Sequence, residues 1–188
     1  FRICTGDQSS NVPRVVVDSS GRVLLGTTSS RETRAGGSGY HGQLQMESNN
    51  EAALTMTRFG GTHPSRLNLQ HARGTIASIA AAQDDDDLGQ ISFSGWDGDT
   101  FTNAAEIRAE VDGTPGDDDM PGRLIFSTTP DNSINAQERL RITSSGTVGV
   151  NCTPTALPLE VKQQSADGGA LRLRDSSAQY RYLEFDVR

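Results

Sequence analysis

Oily residues are scarce in this chain. Leu, Ile, Val and Phe make up about a fifth of its 188 residues, close to the level below which disorder is the ordinary outcome. Long apolar runs are missing as well. None approaches the roughly 18 to 20 residues that a membrane-spanning helix needs, and no charged-then-apolar leader opens the chain. The reading is a soluble protein without membrane insertion. Positive charge is thin, with 17 Lys and Arg against 24 Asp and Glu, and no basic cluster offsets the net charge of −7. That balance argues against nucleic acid as a partner.

Cysteine is limited to Cys4 and Cys152, which supply neither a disulfide framework nor metal-ligand spacing. Asn151-Cys152-Thr153 matches the N-glycosylation acceptor pattern, which matters only in a protein secreted by a eukaryote. His41, His63 and His71 fall into no His-x-x-x-His or His-x-x-Glu spacing, so they read as surface or turn residues. A Gly-x-Ser-x-Gly elbow, a phosphate-binding Gly-Lys-Ser/Thr loop and a Cys/His nucleophile pattern are all missing. No cofactor is expected.

What the chain does have is order in its few apolar residues, which alternate with polar ones in short runs bounded by Gly, Pro, Ser, Asn or Asp. Strands are predicted at 14–17, 22–25, 43–46, 53–57, 66–70, 75–80 and 90–94. Others follow at 105–111, 123–128, 139–142, 147–150, 157–161, 170–174 and 182–187. This is an all-β pattern. Residues 105–112 (AEIRAEVD) contain good helix formers, but the strict alternation of Ala105, Ile107, Ala109 and Val111 with charged residues favours a strand. A turn or two of helix is the alternative over 77–82. Residues 29–40 and 112–122 read as Gly-rich loops.

The chain also nearly copies itself. Residues 14–28 (RVVVDSSGRVLLGTT) line up without a gap against 139–153 (RLRITSSGTVGVNCT), each reading as a strand, a Ser-Ser-Gly turn and a second strand. Downstream, 53–57 lines up with 170–174 and 66–69 with 182–185. A tandem array is implied, divided as 1–12, the end of a preceding unit, 13–137, a first β repeat unit, and 138–188, a truncated second one. Phe1 stands where an initiator Met is expected and Arg188 closes an alternating run, so the chain reads as a segment of a longer one. Scarce apolar residues in such a repeat suggest that identical neighbours share one interior. Small residues at strand positions, such as Gly149 and Ala170, would permit close approach near a three-fold axis. Alternation would equally serve a monomeric sandwich.

Residues 88–150, carrying GQISFSGWDGDTF, AAEIRAEVDGTPGDDDMPGRLIFSTTPD and ERLRITSSGTVGV, resemble tail-fibre and related virion appendage proteins of tailed bacteriophages, of the marine or cyanophage type. The resemblance is strongest from Ala105 to Gly149. It implies an elongated, repeat-containing β structure, an intertwined homotrimeric fibre outside the capsid. Its implied partners are other virion tail proteins and a host cell-surface glycan or protein. Some members end in a self-cleaving chaperone domain, which is not seen in this segment.

Chemistry-bearing groups are few. Asp84, Asp85, Asp86 and Asp87, with Asp117, Asp118 and Asp119, could offer oxygen ligands to a cation, although nothing matches a twelve-residue calcium loop; the bland reading is a solvated surface. Trp96, beside Asp97 and Asp99, is suited to stacking on a sugar ring, or else serves as a packing anchor. Asp97, Asp99, Glu106 and Glu110 are the nearest carboxylates for glycoside hydrolysis, but no cleft is evident in the sequence. The leading expectation is a non-enzymatic fibre subunit that contributes to host attachment. A secreted carbohydrate-binding β-sandwich is the alternative, and a polysaccharide depolymerase a further one.

Overall fold

The computed structural model describes residues 1–5, 12–35, 38–155 and 157–162, and among them there is no helix. The chain is all-β. Its first sheet has the order β1 (Arg2–Thr5), β2 (Val12–Val17), β3 (Val23–Leu25) and β6 (Leu44–Met46). Between β3 and β6, strands β4 (Glu32–Ala35) and β5 (Ser38–His41) form a separate hairpin, and β7 (Arg73–Thr75) with β8 (Ser78–Ala80) forms another. The second sheet has six strands in the order β14 (Leu159–Val161), β13 (Val148–Val150), β12 (Gln137–Ile142), β11 (Gly122–Thr128), β10 (Phe101–Val111) and β9 (Asp87–Trp96). Strand β4 lies against β10 and β9, joining the β4–β5 hairpin to this larger sheet.

The duplicated segments fold alike. Val15, Val16 and Val17 sit opposite Leu25, Leu24 and Val23 in the first hairpin, and Leu140, Arg141 and Ile142 sit opposite Val150, Gly149 and Val148 in the second. Each Ser-Ser-Gly turn closes with the same pair of bonds: Asp18 N to Arg22 O and Gly21 N to Asp18 O in one, Thr143 N to Thr147 O and Gly146 N to Thr143 O in the other. Gly21 and Gly146 both take positive φ (76° and 82°), a conformation that glycine adopts without steric cost. The side chain that caps the turn differs. Asp18 accepts from the amides of Ser20 and Arg22, whereas Thr143 Oγ1 accepts from the amide of Thr147.

A third strand completes each hairpin by parallel pairing: Val23, Leu24 and Leu25 with Leu44, Gln45 and Met46, and Val148, Gly149 and Val150 with Leu159, Glu160 and Val161. The correspondence between residues 44–46 and 159–161 is absent from the sequence reading, because only the leucine is shared. The bend leaving each hairpin is also matched. Gly26 (φ 75°) and Asn151 (φ 56°) are both left-handed, and their amides donate to Arg14 O and Arg139 O.

Several expectations require correction. Residues 53–57 and 66–70 carry strand alternation but form no strand, and among the described residues they make no backbone ladder. Residues 75–80 break into the β7–β8 hairpin around a tight turn, and the helical alternative over 77–82 is not adopted. The expected loop 29–40 contains β4 and most of β5. Gly149 is also required within the chain: a Cβ there would lie 2.2 Å from the Cys152 carbonyl oxygen and 2.6 Å from Pro154 Cδ. Predicted strands 170–174 and 182–187, Ala170, and the two downstream alignments lie outside the described residues.

Candidate functional site

The register of the six-stranded sheet creates an unusual surface. Ile91, Ile107, Phe126, Leu140, Val150 and Val161 are successive cross-strand partners, forming one apolar row across all six strands. A second row runs Gly89, Ala109, Leu124, Ile142, Val148 and Leu159. Since side chains alternate across a strand, both rows share one face. None of these residues is buried, and Ile91 and Leu159 are 44% and 55% exposed.

The buried side of the sheet is the polar one. Glu106, Glu110 and Ser127, on the opposite face from Ile107, are buried together with Ile125. Gln90 Nε2 and Asn103 Nδ2 each donate to Glu106 Oε2 at 2.9 Å. Arg123 donates to Glu110 at 2.6 Å and to Asp112 at 3.1 Å, and also pairs with Asp85. Burial pulls the Arg123 pKa down, but the hydrogen bonds to Asp85, Glu110 and Asp112 outweigh it and hold the guanidinium above its ordinary value. Arg108 Nε lies 2.9 Å from the other oxygen of Glu110. These two glutamates, candidate hydrolytic acids in the sequence, are thus held by neighbouring polar groups.

The aspartate run 84–87 does not converge on a point. Asp84 Oδ1 accepts from Gly113 N at 2.7 Å, Asp85 pairs with Arg123, and Asp87 lies 3.6 Å from Arg108. Asp86 receives two bonds of 2.6 Å from Arg73, a third from Gln83 N, and faces His71 at 3.7 Å. The Arg73 bonds, followed by the Gln83 amide, hold its carboxyl far below the usual carboxylate range. The run therefore ties the strand β7 and the 112–123 region to the start of β9. Asp117, Asp118 and Asp119 are exposed on a loop closed by the Gly116–Asp119 bridge. Among the described residues, no group of three or more His, Cys, Asp or Glu side chains is placed to hold a metal ion.

Asp97 organises the β9–β10 turn. Its Oδ1 accepts from the amides of Thr100 (2.8 Å) and Asp99 (2.9 Å), and its Oδ2 accepts from the Thr102 hydroxyl (2.8 Å). These bonds, the Thr100 amide first, lower its pKa to about 2. The turn presents Trp96, 59% exposed and edge-on to Phe101 at a centroid distance of 5.4 Å. Phe101 in turn lines an open cleft of about 830 Å³ together with Arg31, Gln45, Glu47, Ser48 and Asn49. Asp99 lies beside this turn, with an exposed side chain. An exposed aromatic such as Trp96 next to polar groups can stack a sugar ring while those groups hydrogen-bond its hydroxyls.

The described residues thus form a β-rich fold with one sheet face of partly exposed apolar rows. No protein-family model matches this chain, and no curated protein sequence does. Solved structures do match. The carboxy-terminal domain of the bacteriophage T5 L-shaped tail fibre superposes with a TM-score of 0.62 at 17% identity, covering 92% of this chain and 74% of that one. The same domain with its intra-molecular chaperone domain gives 0.63 at 18%, covering 98% of this chain and 54% of that one. The chain thus has the fold of a phage tail-fibre domain and spans about half the length of the chaperone-bearing form.

Proposed function

We propose that this chain is a structural subunit of a bacteriophage tail fibre or related virion appendage, assembled as a homotrimer outside the capsid. It works with other tail proteins and contributes to attachment at the host surface. The carrying observation is the reversed sheet: none of the residues in its apolar rows is buried, while Glu106 and Glu110 on the opposite face are. Three copies bring three such faces to a common axis and give each chain the interior that it lacks alone. Covering a half-exposed Ile, Leu, Val or Phe contributes about 1 kcal/mol, and several are available on every chain. The divided repeat, 13–137 and 138–188, is the unit by which such a fibre gains length.

The role is display and reach, without turnover. Glu106 and Glu110 are engaged by Gln90, Asn103, Arg108 and Arg123, and Asp97 is committed to its turn. The surface with the chemistry for a host glycan is the Trp96–Phe101 pair with its adjoining cleft. A glycan array probed with the assembled protein tests this reading. Saturable binding that Trp96→Ala abolishes without disturbing assembly supports it, and undiminished binding by that variant removes Trp96 from the contact. Sugar release from a bound polysaccharide, lost on Glu106→Gln, would instead establish the depolymerase.

A further inference from the structure

Residues 48–81 are exposed without a break, although they contain some of the largest apolar side chains in the protein. Leu54, Phe59 and Leu67 are 67%, 90% and 60% exposed. Within this segment, 51–72 consists of two limbs outside any helix or strand, joined at Gly60 and Gly61, both with positive φ. Arg58 donates to the His63 carbonyl across that bend. Leu54 and Met56 alternate with Thr55 and Thr57 on the first limb, as Leu67 and Leu69 alternate with Asn68 and Gln70 on the second. That is a strand pattern, yet among the described residues the main chain of 51–72 makes no backbone–backbone hydrogen bond.

A period-two apolar pattern whose main chain has no ladder is half of a sheet. Resting on the trimeric reading above, we infer that residues 51–72 form an arm whose main chain pairs with another copy of this chain. A second copy is favoured over a foreign partner because the arm is continuous with the open sheet face. Leu69 passes directly over Gly89 of β9, the edge strand that contributes Ile91 and Phe93 to that same face. The arm is anchored at both ends, by Glu47 N to Leu25 O before it and by the Arg73 and His71 contacts with Asp86 after it. Its ends are thus fixed to its own protomer while its middle lies free to reach across.

Hydrogen exchange on the unmodified chain, read by peptide mass spectrometry alongside its sedimentation, tests the inference. A trimer whose amides at 51–72 exchange about a hundredfold more slowly than those of the exposed loop 114–120 is expected. A trimer in which both segments exchange equally fast overturns the arm and leaves the fibre reading standing. A monomer overturns both. Leu67→Asp provides a second readout: exchange at 51–72 accelerates in the variant, whereas unchanged protection contradicts the inference.

Discussion

The six-stranded sheet and residues 51–72 both leave apolar side chains open, but they differ in what is already satisfied. In the sheet every strand has backbone partners, so only one face, led by Ile107, Phe126 and Leu140, awaits cover. In the 51–72 segment neither the main chain nor Leu54, Phe59 and Leu67 is covered. The sheet therefore has a complete ladder and one open face, whereas the segment has neither ladder nor cover among the described residues. In the proposed trimer, neighbouring copies complete both.

The comparison can be broken at its strongest point. Phe126→Asp puts a charge in the middle of the apolar row and is expected to abolish assembly, leaving single chains in sedimentation equilibrium, because each trimer carries the change three times. Leu67→Asp, on the arm, is expected to weaken assembly without preventing β11 and β12 from pairing, so far-ultraviolet dichroism retains its β signature. Next in size is Arg123→Met. It removes one partner from Glu110 and both Arg123 contacts to Asp85 and Asp112, at a cost of about 3 kcal/mol in denaturant unfolding.

The two hairpins give a finer contrast. Gly26→Ala forces a Cβ to within 2.0 Å of the Glu47 carbonyl oxygen at a positive φ, and a loss of about 2 kcal/mol is expected. Asn151→Gly at the matching bend keeps the positive φ open and is expected to cost less than Gly26→Ala in the same denaturation assay. The smallest effect is on pH. Asp97 has a folded pKa lowered to about 2, so its contribution is complete above its unfolded pKa near 4 and is lost as pH falls toward 2. Asp112, lowered by the Ser144 amide against the opposing effect of its burial, with Arg123 assisting, acts in the same direction. Thermal unfolding is expected to be flat from pH 7 to 5 and to fall below pH 4, less steeply for Asp97→Asn.

Much of this fold could be read from the sequence where the information is local. Arg14 and Arg139, with the two Ser-Ser-Gly turns, mark the hairpins because strand alternation and a left-handed glycine leave direct traces in composition. The third strand of each unit was also predicted, at 43–46 and 157–161, but its parallel pairing and the equivalence of the two copies were not, because that pairing asks only for compatible side chains and Leu44 and Leu159 are all that the copies share. The alternation at 53–57 and 66–70 was visible, but strand structure depends on a partner backbone that the described residues do not supply. Of the candidate site, the identities of the acidic run were plain and its roles were not. Asp85 meets Arg123 and Asp84 meets Gly113 only after three strands have assembled. Trp96 was legible as an exposed aromatic, while the cleft beside it requires Phe101 and Glu47 from different parts of the chain.

The mass of the purified protein in solution, measured by sedimentation equilibrium, addresses the shared interior most directly. Three chains of 20.1 kDa, about 60 kDa, with the rows through Phe126 and Val150 shielded from solvent, is the predicted result. A stable folded particle of 20.1 kDa at all concentrations would contradict it.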